Sequence, residues 1–300
     1  MIAGETARRC AALCTAFFPF VARPALALDD LISTRGLGAA ESLRAQGSGA
    51  TALFLNPAGM ALIRQYAIEG NYQYRPDDSA HMAAGSIVDS ITTDVAAGAY
   101  VHYLTSSPEL GGETLDKSGI EGGLGLAYPI SQGFMLGVKG KYLNADQEAS
   151  ASGDDAVDIS EFSFDAGAIL RFGGLALGVT GNSLNAELPE WRKQLGLAAG
   201  YAFGTTLVLE FDALLDFDKN ESLGRADEVA PRYSGGIELF LGGSYALRGG
   251  AIHDRAEDST WVAFGGGIFN PGSGLEIGVR QQVDGGSETL VSVGLKLFMQ

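Results

Sequence analysis

The sequence has little cysteine and few positive charges. Its two cysteines, Cys10 and Cys14, both lie in the first 27 residues, so the remaining chain offers neither a disulfide framework nor a thiolate metal site. The formal net charge is −16, and so acidic a chain lacks the basic surface on which nucleic-acid binding depends. No stretch after residue 27 holds 18 consecutive apolar residues, which excludes a helical membrane protein.

Motifs for catalysis are also missing. The three histidines, His81, His102 and His253, lie far apart in the sequence and have no cysteine partners, so we predict no metal site. The sequence contains neither a P-loop nor a dinucleotide-binding motif, and we predict no cofactor. A serine hydrolase would need a serine and an acid beside His102 or His253, and the sequence supplies no strong trio. We therefore predict a protein that is not an enzyme.

The first residues have the pattern of a secretory signal peptide. Arg8 and Arg9 precede an apolar run from Cys10 to Ala22, and Ala25-Leu26-Ala27 then forms a small-x-small cleavage site. The apolar run is shorter than the roughly 20 residues that a transmembrane helix needs. We predict that residues 1–27 are a signal peptide, cleaved after Ala27, and that the protein is exported to the bacterial outer membrane.

Glycine, in contrast, is abundant, at 43 of 300 residues, and the chain from residue 67 onward alternates at period 2. Such alternation indicates strands with two different faces. Most runs are 8 to 11 residues long, close to the length that crosses a bilayer at a tilt. The second and twelfth have ambiguous parity. The fourteen runs lie near residues 67–75, 80–89, 94–103, 119–128, 134–143, 160–172, 175–182, 193–203, 207–217, 232–240, 245–252, 260–269, 275–282 and 289–299.

Three features favour a membrane barrel over a soluble β-sandwich. The apolar parity carries no charge through the middle of a run, where a lipid-facing charge costs about 2–4 kcal/mol. The polar parity carries nearly equal numbers of acidic and basic residues, as expected of a lumen in which enclosed charges must be paired. Short connections alternate with long, acidic ones, as periplasmic turns alternate with external loops. The predicted fold is all-β: a transmembrane antiparallel up-and-down β-barrel of about 14 strands, formed by residues 67–300.

The polar parity is predicted to line the lumen. It is also rich in glycine, which weakens a strand unless another backbone must approach closely, so we expect a segment packed inside. The predicted lumen charges are Glu69, Glu121, Lys139, Lys141, Asp165, Arg171, Glu210, Asp212, Glu238, Arg248, Glu276, Arg280 and Lys296.

Residues 28–66 do not alternate and are predicted to form an N-terminal plug, or hatch. Within them, Asn56 can accept a bond from a free helix N–H, and Pro57 suits the first helical position. We therefore expect a short helical turn at Asn56-Pro57, preceded by an extended apolar stretch.

The N-terminal block resembles the hatch of the long-chain fatty-acid transporter (FadL-like) family of outer-membrane barrels. In that family an Asn-Pro-Ala-Gly motif directly precedes the first strand, as Asn56-Pro57-Ala58-Gly59 does here, with Gly36 and Gly38 upstream. The resemblance implies passive uptake of small hydrophobic molecules, fatty-acid-like or aromatic, past the hatch. It implies that the motif holds the hatch and that Leu53, Phe54 and Leu55 form an apolar ligand surface, although simple plug packing explains these three equally well.

A second hypothesis stays open because the chain is shorter than the transporters of that family. A shorter subgroup with the same motif, the PorV-like proteins, serves secretion, so the alternative is a non-transporting barrel that binds protein partners. The expected partners are outer-membrane lipid, a small hydrophobic ligand and the barrel-assembly machinery, which reads the C-terminal strand. That strand ends Phe298-Met299-Gln300 rather than on an aromatic residue. The sequence leaves the oligomeric state open.

Overall fold

The computed structural model describes residues 32–110, 113–149, 157–186, 191–218 and 229–299. The predicted signal peptide and its cleavage site lie outside the described residues. None of the helices in the described ranges is long and apolar enough to cross a membrane.

Within the described ranges, the chain forms two short α-helices and a long series of strands. The helices are α1 (Thr34–Gly38) and α2 (Ala50–Leu55), followed by a 3-10 helix at Pro57–Ala61. A second 3-10 helix, Pro76–Asp78, connects the first two strands. The strands are β1 (Tyr66–Arg75), β2 (Ala80–Asp89), β3 (Ala96–Ser106), β4 (Glu109–Leu110), β5 (Glu113–Ser131), β6 (Phe134–Ala149), β7 (Val157–Phe172), β8 (Leu175–Asn182), β9 (Gln194–Phe203), β10 (Leu207–Asp216), β11 (Ala230–Leu241), β12 (Tyr245–Asp254), β13 (Ser259–Phe269), β14 (Ser273–Asp284) and β15 (Thr289–Met299).

The strands close into one antiparallel barrel. Apart from β4, each strand pairs with its neighbours along the chain, and β1 pairs with β15 to complete the ring. β4 has two residues and pairs only with the start of β5, while β3 pairs with β5 directly, so fourteen strands form the barrel. This confirms the predicted fold, and both runs of ambiguous parity, β2 and β13, are strands of the wall.

The two faces of the barrel have the polarity predicted from the alternation. Outward side chains are apolar and exposed, as at Leu124 (71% exposed) and Phe264 (65%). Inward positions are charged and buried, as at Glu238 and Glu276, each 1% exposed. Water-soluble proteins rarely expose so extensive an apolar surface, whereas a barrel in a bilayer presents an apolar band to lipid.

β5, β6 and β7 are longer than predicted. They have 19, 16 and 16 residues, and β5 remains paired with β6 as far as Leu115 and Ala149. The sequence prediction began β5 at 119, ended β6 at 143 and began β7 at 160, because the added positions lie outside the apolar alternation. Polar residues such as Asp116 and Asp146 continue the backbone ladder without the lipid-facing pattern. The three strands therefore rise as a ribbon above the apolar band.

Residues 32–62, here called the plug segment, occupy the interior of the barrel. α1 contacts β12 to β15, α2 contacts β2 and β3, and the Pro57–Ala61 turn contacts β3 and β5 to β7. Strand glycines allow the close approach: a Cβ added at Gly137 would lie 2.7 Å from the Ala58 Cα, and one at Gly178 would lie 2.8 Å from the Arg44 carbonyl oxygen. The glycine-rich parity thus lines the surface on which this segment packs.

The expectation of an extended stretch before Asn56 was wrong, because residues Ala50–Leu55 form α2. Alanine and leucine favour a helix. Inside a closed barrel an extended segment would also find no free strand edge, whereas a helix satisfies most of its own backbone hydrogen bonds. The local sequence and the enclosure in the barrel therefore both favour a helix at these residues.

Candidate functional site

Three charged residues anchor the plug segment to the wall. Arg35 binds Glu238 through two bonds, Nη2 to Oε2 at 2.6 Å and Nε to Oε1 at 2.8 Å. Arg44 binds Asp212 at 3.0 Å. The Glu41 carboxylate accepts from two wall residues, Arg232 at 2.7 Å and Arg280 at 2.5 Å. Each anchor joins residues far apart in the chain, so the segment is held at several points around the ring.

One of these anchors continues into a chain of alternating charges along the wall. Beyond Glu238, the contacts are Arg248 to Glu238 at 2.7 Å, Arg248 to Glu276 at 2.7 Å, Lys296 to Glu276 at 2.9 Å and Lys296 to Glu69 at 3.2 Å. Burial by itself lowers the pKa of the Arg35 guanidinium, but the charge and hydrogen bonds of Glu238 raise it above its ordinary value. Removing one partner would leave an unpaired charge in the interior, which is costly.

The predicted lumen charges lie on the inner face of the wall. All are buried except Glu69 and Arg171, which are partly buried. Arg171 lies next to the last residue of β7, at the end of the barrel opposite the long connections. Sequence reasoning named only the wall partners; it missed Arg35, Glu41 and Arg44, because the plug segment has no periodicity that shows which side chains reach the wall.

A second charged group lies on β6 and β7. Asp165 binds Lys139 at 2.7 Å and Lys141 at 3.2 Å. Lys139 also donates to the carbonyl oxygen of Leu53 at 2.8 Å, and Lys141 donates to the Ser183 hydroxyl at 2.8 Å. This group therefore ties α2 and the β8–β9 connection to the same stretch of wall.

The predicted ligand residues occupy different surroundings within α2. Leu53 and Leu55 are buried, whereas Phe54 is partly exposed to the lumen. The Phe54 ring lies 4.8 Å from the His102 ring and 5.2 Å from the Tyr100 ring, edge-on to the latter. The predicted apolar surface is thus chiefly one aromatic side chain in an aromatic cluster.

Glu121 lies beside this cluster and receives two side-chain donors. The Tyr100 hydroxyl donates to Oε1 at 2.5 Å, and the Trp191 indole N–H donates to Oε2 at 2.9 Å. The Lys141 ammonium lies 4.9 Å from the Trp191 ring centre. Sequence reasoning missed Tyr100 and Trp191. The parity that places Gly98 inside also places Tyr100 and His102 inside, but no pattern identifies Trp191, which lies between strands.

A cavity of about 100 Å³ separates the plug segment from these groups. Its apolar lining includes Phe54, Leu55, Leu214 and Trp191, and its polar lining includes Glu121 and Lys141. The cavity is small and mostly polar, because Glu41, Arg44, Lys139, Asp165, Arg192 and Arg232 also line it.

The Asn56-Pro57-Ala58-Gly59 motif forms the predicted turn. The Asn56 side-chain oxygen accepts from the Ala58 N–H at 3.2 Å, and Pro57 is the first residue of the 3-10 helix. The Asn56 side-chain amide also donates to the Arg44 carbonyl oxygen at 2.8 Å. The motif therefore fixes two parts of the plug segment relative to each other. Its four residues are buried.

The histidines named as candidates for a hydrolase lie on opposite sides of the wall. His102 is buried in the lumen, whereas His253 is exposed on the outer face, 3.2 Å from the Thr260 hydroxyl. In the described part of the chain, no three His, Cys, Asp or Glu side chains are grouped so that they could hold a metal ion.

Comparison with solved structures found barrels of the same architecture. The chain superposes on the CymD monoaromatic hydrocarbon channel with a TM-score of 0.70 and 10% identity, over 90% of this chain and 98% of that one. It superposes on the Ralstonia pickettii toluene transporter TbuX with a TM-score of 0.68 and 10% identity, over 88% and 98%. A Pseudomonas aeruginosa FadL homologue gives a TM-score of 0.63 and 13% identity, over 89% and 98%. No protein-family model and no curated protein matched.

The wall, its apolar band and the enclosed plug segment define a membrane β-barrel with an occupied lumen. More particularly, the chain has the fold of the FadL-like outer-membrane channels, which confirms the predicted resemblance at the level of fold.

Proposed function

We propose that this barrel lies in the bacterial outer membrane and allows small hydrophobic molecules to enter the cell passively, past the plug segment. The observation that carries the proposal is Phe54. Its ring is presented by the plug segment to a lumen cavity, against Tyr100 and His102. The fold supports the same function, since it is shared with a monoaromatic hydrocarbon channel and a toluene transporter.

Passage requires the plug segment or its neighbours to move. An apolar cavity of about 150 Å³ holds one benzene molecule, and the cavity beside Phe54 is smaller, at about 100 Å³. The anchors of the plug segment are ion pairs and hydrogen bonds rather than covalent links. The segment can therefore shift and return without a chemical step.

The first test replaces Phe54. Phe54→Ala should lower the uptake of toluene into proteoliposomes, because it removes the aromatic contact that the plug segment offers. Phe264→Ala is the matched control, since it removes an aromatic ring from the lipid-facing side of the wall. Equal uptake by the Phe54 variant and the wild-type protein would refute a ligand role for this residue.

The second test removes the plug segment. Deletion of residues 32–62 should raise ion conductance in planar bilayers, because the strand glycines that face the segment would then line an open lumen. Resistance of the barrel to detergent unfolding below boiling would show that the deletion variant has assembled. An assembled variant with unchanged conductance would mean that the segment does not close the channel.

The partner-binding hypothesis has a structural feature of its own. β5, β6 and β7 extend above the apolar band, where a protein outside the membrane could reach them. Shortening the β5–β6 ribbon by deleting residues 115–118 and 146–149 should leave toluene uptake intact if the barrel is a channel. Loss of a secreted or surface protein, with uptake unchanged, would favour the partner-binding role.

A further inference from the structure

Trp191 belongs to no strand, yet its side chain is buried in the lumen. It lies three residues before β9, in the connection that follows β8, and is 4% exposed. Its ring reaches across to the wall formed by β5 and β6, where it meets Glu121 and Lys141. Because Trp191 is not in a strand, backbone pairing does not fix the position of its indole. The contacts with Glu121 and Lys141 hold the indole in the lumen.

The contacts of Trp191 are those expected of a bound aromatic molecule. Its N–H donates to Glu121 Oε2 at 2.9 Å, and the Lys141 ammonium lies 4.9 Å from the ring centre, within the range of a cation–π interaction. The other carboxylate oxygen of Glu121 is taken by the Tyr100 hydroxyl. The hydrogen-bond donor to Glu121 Oε2 is therefore Trp191, a residue that is not part of the barrel wall.

The small volume of the cavity indicates that the position of the Trp191 indole belongs to the ligand site. Trp191 and Phe54 both line the cavity of about 100 Å³. This space is smaller than a cavity of about 150 Å³ that holds one benzene molecule, so displacement of the indole would provide room for an aromatic ring. A ring that takes its place would meet Glu121 Oε2 directly.

We propose that the Trp191 indole occupies the ligand subsite of the closed channel, and that this subsite selects planar aromatic molecules carrying an O–H or N–H donor. This inference rests on the proposed uptake function and narrows its substrate class. A phenol or an indole restores the hydrogen bond to Glu121 that is broken when Trp191 leaves. A pure hydrocarbon such as toluene leaves Oε2 unpaired.

The expected selectivity follows from that one bond. A buried acceptor left without a partner reduces binding by on the order of tenfold. Toluene and p-cresol form a matched pair for the test, because p-cresol is toluene with one added hydroxyl group. The full-length barrel should therefore bind p-cresol about tenfold more tightly than toluene.

The binding experiment uses Trp191 as its own reporter. The chain has two tryptophans, so Trp261→Phe leaves Trp191 as the single tryptophan while keeping a ring beneath Arg280. Titration with p-cresol should shift the Trp191 emission to the red as the indole leaves the lumen for water. Emission that stays unchanged while calorimetry detects p-cresol binding would overturn the proposed replacement.

Three variants separate the role of the Trp191 ring from that of the Glu121 acceptor. Trp191→Ala should bind p-cresol more tightly than the wild-type protein, because the site is already vacant. Glu121→Leu should lose the preference for p-cresol over toluene. Glu121→Gln, which keeps a neutral acceptor and is the safer variant for folding, should retain only part of it. An unaltered preference in both Glu121 variants would refute the role of this carboxylate.

Flux measurements distinguish failure of this inference from failure of the proposed function. Toluene entry into proteoliposomes tests the channel, whereas the ratio of p-cresol to toluene binding tests the subsite. Suppose that toluene enters but that p-cresol and toluene bind equally well to the wild-type protein and to Trp191→Ala. This result would support the channel function and refute the subsite. In that case Trp191 is core packing alone.

Discussion

At the scale of single residues, consecutive positions of a strand face opposite environments, lipid on the outside and the polar lumen on the inside. In β10, Leu209 faces outward and is 40% exposed, whereas Glu210 faces inward and accepts a hydrogen bond from the backbone N–H of Ala45. The outer position must suit lipid, and the inner one must supply a partner for an enclosed polar group. The side of the wall, rather than hydrophobicity alone, decides which substitution the fold tolerates.

Leu209→Arg should therefore be more damaging than Glu210→Gln. An arginine facing lipid near the bilayer midplane costs about 2–4 kcal/mol, whereas glutamine at 210 keeps an oxygen that can accept from Ala45. Urea unfolding of the barrel in lipid vesicles measures both. Equal destabilisation by the two variants would contradict the assignment of faces.

A second residue-scale prediction concerns Glu238. Glu238→Ala should lower the free energy of unfolding by about 3–5 kcal/mol, because it removes the buried carboxylate that pairs with Arg35, while Arg248 keeps Glu276. Asp94→Ala is the control: its contact with Arg64 is exposed, and such pairs contribute about 0–1 kcal/mol. Comparable losses in the two variants would mean that the lumen network contributes no more than a surface pair.

At the scale of elements, the sequence predicted the strands well where lipid imposes a pattern. β8, for example, was predicted within the bounds that the structure gives it, since its apolar positions must face the bilayer. Prediction failed where that constraint ends. The outer parts of β5 to β7 are paired without the lipid-facing pattern, and in α2 enclosure adds to the helix preference of alanine and leucine. The place of Trp191 depends on contacts with Glu121 and Lys141, far away in the sequence, which no local pattern encodes.

The glycines that face the plug segment give an element-scale prediction. Gly137→Ala should displace the Asn56-Pro57-Ala58 turn, because the added Cβ would collide with the Ala58 backbone. The plug segment would then seal less well, and ion conductance in planar bilayers should rise. Gly85→Ala is the control, since a Cβ there meets no atom within 4 Å. A closed channel in the Gly137 variant would show that the turn can shift without opening a path.

At the scale of the whole molecule, the barrel has two unlike ends. One carries the short turns, such as the one at Gly204, and the other carries the longer connections and the raised ribbon of β5 to β7. Outer-membrane barrels keep their short turns in the periplasm and their longer loops outside. With an even number of strands, both ends of the barrel sequence then lie on the periplasmic side.

This orientation can be read by labelling, because both natural cysteines lie within residues 1–27, the predicted signal peptide. Ser287→Cys, in the exposed connection between β14 and β15, should react with a membrane-impermeant maleimide on intact cells. Thr205→Cys, in the exposed turn between β9 and β10, should react only after the outer membrane has been permeabilised. Both positions are open to solvent, so only the membrane separates their reactivity. Labelling of the Thr205 variant but not the Ser287 variant on intact cells would mean that the barrel is inserted the other way round, and equal labelling of both would contradict a spanning barrel.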